Sequence, residues 1–269
     1  MIKVDCKKYA DEILERVSKV PNKGKLMIVT TGHDPASESY VKGKMKDSEK
    51  CGIEAHKFVV NDSKTLEEVV RSGNERNDVS GIIIQLPLLE GFDENECVNL
   101  VDITKDVDGF KQGSSFLPCT PEGIMWILKK ELGDLTGKTA LVIGRGKLIG
   151  EPIAKLLLDA DCTVTVAHSK TKNLKGMLDC FDIIVCGAGV PQLINLADCD
   201  CEIIIDAGIS MKDGKLCGDC FNFLDDWNSR MKVVTIPNGI GLMTRAMLMA
   251  HVAKLELLEM DGTNDGLCL

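Results

Sequence analysis

ALVIGRGKLIGEPIAKLL, residues 140–157, decides the fold. An apolar run leads straight into Gly144, Gly146 and Gly150, and a helix-forming stretch follows. A strand that turns on glycines into a helix lets the backbone approach a pyrophosphate closely. The helix N-terminus then offers free N–H groups and a positive dipole end. The spacing is GxGxxxG, not GxGxxG, so the signal comes from its place between a strand and a helix. A plain strand–helix turn is the alternative reading.

The next strand, TVTVAH (163–168), runs into His168, Ser169, Lys170, Thr171 and Lys172. Binders of NAD usually place Asp or Glu at this point, on the ribose hydroxyls. No acid stands here, and two lysines, hydroxyls and Arg145 can hold a phosphate, which favours NADP over NAD. Further strands are expected at DIIVCG (182–187), EIIIDAG (202–208) and, last, VVTIP (233–237), with a helix over 148–160.

The first half has the same alternation. KLMIVTT (25–31), HKFVV (56–60) and GIIIQLPLL (81–89) read as strands, and 37–51 and 63–77 as helices. Short continuous apolar strands separated by helices imply a parallel sheet covered on both faces. KQGSSFLPCTPEG (111–123) breaks the series, and Thr120-Pro121 is a good helix start, with Thr as cap and Pro in the first turn. The apolar period after Leu242 predicts a long final helix, roughly to Met260.

Bulk composition narrows the function classes. A chain of 269 residues, 44% apolar, fills one large or two modest domains. A net charge of −9 speaks against a nucleic-acid surface. No run is long and apolar enough for a membrane span, and MIKVDCKKYADEILERV lacks the apolar core of a signal peptide, so a cytoplasmic location is expected. Twelve cysteines include Cys199-Asp-Cys201 and Cys217-Gly-Asp-Cys220. These could bind metal, but reduced structural thiols are the preferred reading, with no metal site.

In TGHDPASESYVKGK (31–44), Asp34-Pro35 and Ser37 are both possible helix starts, and Tyr40 and Lys44 then share one helix face. Alone, such a pair is usually a solvated face. Gln85 sits in an apolar run and must find partners, structurally or in a pocket. Asp106 and Asp108 of KDVDGF fall in a turn, where Asp is common for local reasons.

GHDPASESYVKGK, GIIIQLPL, KDVDGF, FLPCTPEGI, GKTALVIGRGKLIGEP, TVTVAHSKT and IIDAGI occur in that order. Together they resemble the bifunctional methylenetetrahydrofolate dehydrogenase/methenyltetrahydrofolate cyclohydrolase family. The resemblance implies two α/β domains: a folate-binding α/β/α domain over 1–118 and a Rossmann-like nicotinamide-binding domain over 119–241. A C-terminal helix, 242–260, would return to the first. It implies oxidation of 5,10-methylenetetrahydrofolate with NADP, NAD remaining possible, then hydrolysis to 10-formyltetrahydrofolate, by a homodimer. Lys44, Gln85 and Tyr40 become the catalytic set. Tyr40, Asp108, Gly239, Gly241 and Thr244 become substrate-binding residues. Gly144, Arg145, Gly146, Lys147, Gly150, His168, Ser169, Lys170 and Ile209 become cofactor-binding residues.

The chemistry suits these residue types. The substrate carbon lies between two nitrogens whose lone pairs expel hydride without a protein base, so oxidation mainly needs two rings positioned. That fits a chain with four histidines, of which His33, His56 and His251 are expected to be structural or solvated. Hydrolysis needs protons moved, which a desolvated lysine can do. An aspartate can accept from both donors of a pterin edge.

The chain departs from the family in three places. The loop after Asp108 is short, Gly146 stands where Ser is usual, and Thr235, Asn238 and Leu242 in TIPNGIGLMT replace Pro, Gly and Pro. Asn tolerates the positive φ of a glycine position, and losing two prolines loosens the loop. These changes keep open a dehydrogenase with weak or absent cyclohydrolase activity, or a catalytically silent folate-binding paralogue.

Overall fold

The computed structural model describes residues 1–32, 35–212, 214–223 and 230–257. Two parallel sheets share one apolar core. The first sheet holds β2 (Lys25–Thr31), β3 (Ala55–Val60) and β4 (Val79–Ile84), in the order β3-β2-β4. α2 (Pro35–Cys51) connects β2 to β3, and α3 (Ser63–Glu75) connects β3 to β4. α2 thus begins at Pro35, ahead of Ser37; Asp34 and His33 lie outside the described residues. α3 is opened by Asp62, whose carboxylate accepts from Thr65 N at 2.9 Å, and it buries Leu66, Val70 and Gly73 on one stripe.

The second sheet has six parallel strands in the order β1-β13-β9-β7-β5-β6. They are β1 (Ile2–Lys3), β5 (Thr139–Ile143), β6 (Thr163–Ala167), β7 (Ile183–Cys186), β9 (Ile203–Asp206) and β13 (Lys232–Val234). The central strands β7 and β9 are buried at every position, whereas the edge strand β6 is half-open, as an uncovered flank demands. α6 (Gly150–Asp159) follows β5. Two pairs of short strands complete this half, β10 (Ser210–Lys212) with β11 (Lys215–Cys217) and β8 (Ile194–Asn195) with β12 (Cys220–Phe221), while the small helix α4 (Glu94–Asn99) belongs to the first half.

α1 (Cys6–Ser18), α5 (Cys119–Leu132) and α7 (Ile240–Val252) lie between the sheets. α5 is buried along Pro121–Leu128, and α7 buries Met243, Met247 and Ala250, the expected methionine stripe, as core. α1 is capped by Asp5, which accepts from Lys8 N at 3.0 Å, and lays Ala10, Ile13, Leu14 and Val17 against α7.

Several expectations need correction. The final helix runs over Ile240–Val252 rather than 242–260. It stops in a Schellman turn: Lys254 has φ +53°, its N–H donates to His251 O at 2.9 Å, and Leu255 N donates to Ala250 O at 2.9 Å. Leu257 is buried without being helical, which is why the apolar period ran on, and Met260 lies outside the described residues. Residues 2–3, expected inside a first domain of 1–118, add β1 beside β13, with Ile2 N donating to Met231 O at 2.8 Å. Two residues are too few to show a period, and the open flank of β13 needs a partner. α5 starts at Cys119, with Pro118 in the cap position and no side-chain cap. Thr120 is not the cap because its hydroxyl is engaged 2.9 Å from Thr244 Oγ1.

Candidate active site

The folate-side residues converge on one face of α2. Tyr40 and Lys44 are a helical turn apart, and Lys44 Nζ lies 5.7 Å from the centre of the Tyr40 ring. Lys44 is only 4% exposed, so the solvated-face reading does not hold. Its charge acts on Asp108, across from α2. Burial pushes the Asp108 carboxyl above its ordinary value, the Lys44 and His251 charges oppose that, and Asp106 adds to it.

Asp106 serves the turn itself, accepting from Phe110 N at 3.3 Å and Lys111 N at 2.8 Å. Gly109, at φ +70°, lets the segment lie so close to 116–119 that a Cβ there would stand 2.4 Å from Leu117 O.

α7 forms the rear wall. Thr244 Oγ1 lies 2.9 Å from Thr120 Oγ1 and donates to Ile240 O at 3.1 Å. Burial raises the Tyr40 phenol, with Thr244 and then Arg245 opposing. A Cβ on Gly241 would lie 3.4 Å from Tyr40 Oη, and Asn238 holds φ +67°, the backbone path expected of it. Arg245 Nε donates to Asp47 Oδ2 at 2.8 Å and so ties α7 to the lysine helix.

Gln85 follows β4. Its Nε2 donates to Leu86 O at 2.7 Å, while Oε1 is buried with no hydrogen-bond partner. An orphaned buried acceptor at the carboxyl end of a strand is what an absent ligand or water leaves behind.

The carboxyl ends of the second sheet build the other wall. Gly144, at φ +110°, packs where a Cβ would meet Gly187 O at 2.5 Å. Gly150 opens α6 directly on the Gly144 backbone, where a Cβ would meet Gly144 O at 2.3 Å. Gly146 has nothing within 4 Å of such a Cβ, and Arg145, Gly146 and Lys147 are exposed. A bare turn at an uncapped helix N-terminus fits a dinucleotide pyrophosphate. After β6, His168, Ser169, Lys170 and Thr171 form a tight turn, with Thr171 N donating to His168 O at 2.8 Å and Lys170 N to His168 Nδ1 at 3.2 Å. Ser169 and Lys170 are exposed there, as is Ile209 after β9.

Two buried aspartates organise the loops around this wall, and no local pattern announced them. Asp206 accepts from the backbone N–H groups of Gly208, Asp219 and Cys220 at 3.1, 3.1 and 2.9 Å. Asp219 accepts from Ala188, Gly189 and Val190 at 2.7, 3.2 and 2.8 Å. Burial lifts Asp206 to about 6 against those hydrogen bonds, with Asp219 adding to the rise. Gly208 and Gly218 are glycines because a Cβ would meet the carboxylates at 2.0 and 1.9 Å.

His251 is structural, as expected, but not solvated: it is 4% exposed, with Nε2 2.6 Å from Glu122 Oε2 and Nδ1 2.7 Å from Val107 O. Cys217 and Cys220 do not pair; Cys220 Sγ lies 3.6 Å from Cys186 Sγ instead. Every described cysteine is free, and among the described residues no cluster could hold a metal ion.

A two-domain α/β architecture, with a glycine-rich turn at one helix N-terminus and a buried lysine beside a half-buried tyrosine and aspartate, fits a nicotinamide-dependent enzyme. The comparisons specify which. Residues 4–108 match the model for the catalytic domain of tetrahydrofolate dehydrogenase/cyclohydrolase, and residues 118–259 match its NAD(P)-binding domain. The bifunctional protein FolD of Agathobacter rectalis is 36% identical over 90% of this chain and 92% of its own. That of Lachnoclostridium phytofermentans is 38% identical over 89% of this chain and 90% of its own. The crystal structure of the Campylobacter jejuni bifunctional enzyme FolD superimposes with a TM-score of 0.86 at 32% identity, covering 94% of this chain and 98% of that one. The Trypanosoma brucei enzyme, solved with NADP cofactor and inhibitor, gives 0.85 at 26% identity, over 93% and 95%. The chain belongs to the tetrahydrofolate dehydrogenase/cyclohydrolase family.

Proposed function

We propose that this chain oxidises 5,10-methylenetetrahydrofolate with NADP and hydrolyses the methenyl product to 10-formyltetrahydrofolate in the same crevice. The observation that carries the reading is the burial of Lys44 beside Tyr40, with its charge acting on Asp108. A structural lysine has little reason to give up water without an ion-pair partner.

Asp108 accepts the amino and ring N–H of the pterin, and Tyr40 stacks on the ring system. Gly144, Gly146 and Gly150 with the first turn of α6 would receive the pyrophosphate, Ile209 would lie against the dinucleotide, and Ser169, Lys170 and Arg145 would take the extra phosphate of NADP. A nicotinamide bound there supplies the two-electron acceptor. Oxidation leaves a substrate cation spread over two nitrogens, which the chain needs only to orient and shield. In hydrolysis the Lys44 ammonium gives a proton to the departing nitrogen and is reprotonated by the attacking water, which Gln85 Oε1 holds. Gly239, Gly241 and Thr244 shape the floor. A homodimer belongs to the reading; the exposed Met211 and Leu216 of the β10–β11 hairpin offer apolar surface for it, and sedimentation tests it.

One assay tests the core. With methylenetetrahydrofolate and NADP or NAD, methenyl absorbance is followed as it forms and decays. Lys44→Met should retain methenyl formation and lose catalysed decay by about 100-fold or more, the usual scale of general acid–base catalysis. Decay at the wild-type rate would refute the assignment.

A further inference from the structure

Behind the proposed pterin anchor lies a buried acid–base pair that the reaction as written leaves unused. His251, in the last turn of α7, is wedged between α5 and the loop carrying Asp108. Both ring nitrogens face oxygen. Nε2 is 2.6 Å from the Glu122 carboxylate, and Nδ1 is 2.7 Å from the Val107 carbonyl. A carbonyl can only accept, so Nδ1 carries a proton. The Nε2–Glu122 bond then holds a second proton. Phe116 stacks on the ring at 4.6 Å, and Cys119 Sγ lies 3.5 Å from Nδ1 and 3.3 Å from the same Val107 carbonyl. Val107 is the residue before Asp108, and Cys119 N donates back to Asp108 O at 3.4 Å.

We infer that His251, held as an imidazolium by Glu122, is a positioning residue for folate. It pins the Val107 carbonyl, and its charge keeps Asp108 ionised to accept from the pterin. The groups facing Asp108 are Lys44 and Tyr40 from α2, Asp106 from its own loop, Cys119 from α5 and His251 from α7. Those facing His251 are Cys119 and Glu122 from α5 and Asp108 from its loop. Burial works against a carboxylate at Asp108, and only the Lys44 and His251 charges oppose it. Burial works against the imidazolium, and the Glu122 carboxylate 2.6 Å from Nε2 opposes burial and raises His251 above the usual histidine range. Loss of the imidazolium therefore lets Asp108 take up a proton at higher pH, which weakens folate and leaves the dinucleotide wall untouched.

The inference rests on the reading of Asp108 as the pterin anchor, and the experiment separates the two. The pH dependence of KM for methylenetetrahydrofolate is measured for the wild type, His251→Gln, Glu122→Gln and Asp108→Asn. Both His251→Gln and Glu122→Gln should move the acid limb to higher pH, a severalfold rise in KM on that limb. KM should return to the wild-type value at alkaline pH, with kcat and the dinucleotide KM within about twofold throughout. A general loosening of the core would raise KM at every pH. The histidine NMR signals of the wild-type protein should show both His251 nitrogens protonated at neutral pH, a readout that survives if a variant does not fold. An acid limb unmoved in both variants, or a neutral His251 ring, overturns the inference. An Asp108→Asn enzyme with unchanged folate KM overturns the anchor instead.

Discussion

Gly144 and Gly146 sit two residues apart in one loop, and substitution by alanine should separate two roles. At Gly144, alanine must adopt φ +110°, and its Cβ would stand 2.5 Å from Gly187 O and 3.0 Å from Ala188 N. Both are backbone atoms held in place, Gly187 N donating to Ile143 O at 2.8 Å and Ala188 N to Asp219 Oδ2 at 2.7 Å. The left-handed region costs about 1–2 kcal/mol for a residue with a Cβ. Relieving the contact sacrifices at least one of those hydrogen bonds, about 1–2 kcal/mol more. The sum, about 2–4 kcal/mol, should lower Tm by roughly 4–7 °C in a chain of this size. Gly146→Ala meets nothing within 4 Å and needs no unusual φ, so Tm should stay within about 1 °C. Its methyl group would instead occupy the space the pyrophosphate approaches, and Kd for NADP should rise about tenfold or more, a 1.4 kcal/mol loss. Differential scanning fluorimetry and calorimetric titration of both variants decide the matter. A Gly144→Ala protein as stable as the wild type, or a Gly146→Ala protein that binds NADP normally, would refute the division of labour.

Three further outcomes follow from contacts already described. Gly43→Ala should destabilise by about 1–2 kcal/mol despite alanine's better helix propensity, because its Cβ would lie 2.1 Å from Arg245 Nη1 and dislodge the Arg245–Asp47 pair. In an Arg245→Ala background the same change should stabilise, and urea unfolding of the four proteins shows whether the sign reverses. Asp206, raised from 3.8 to about 6, contributes stability that is complete below 3.8 and lost as pH climbs through 6. The stability of the wild type relative to Asp206→Asn should therefore fall by on the order of 3 kcal/mol between those values and level off above; a flat difference refutes it. Lys170→Glu should raise KM for NADP well over tenfold and leave KM for NAD within about threefold, since it opposes only the extra phosphate; equal losses would point to a collapsed turn.

Much of this arrangement could be read along the chain, and what escaped has a common cause. β2, β7 and β9 were legible because strands buried on both faces must be continuously apolar, and Gly144 because a strand cannot turn into a helix there otherwise. Asp108, Tyr40 and Lys44 were found as residues in short segments that resemble a family, not from any period. The Asp206–Asp219 clamps and the Glu122–His251 pair join positions 13 to 129 residues apart, and each partner looks ordinary where it stands. The end of α7 was overrun because Leu257 stays buried after Lys254 has broken the helix. β1, β8 and β12 hold two residues each, too few for any alternation to show.

The placement of β1 bears on how the crevice can move. The chain passes between the two halves three times: after Lys3, through 109–118, and again after Val234. A lone connector, or a close pair, would act as a door hinge and let the halves swing. Three spaced strands of covalent chain, with α1, α5 and α7 wedged among them, resist rotation about any one axis. Such a connection favours a small slide of packed helices over a swing, shear rather than hinge, and so a nearly fixed separation of the two walls.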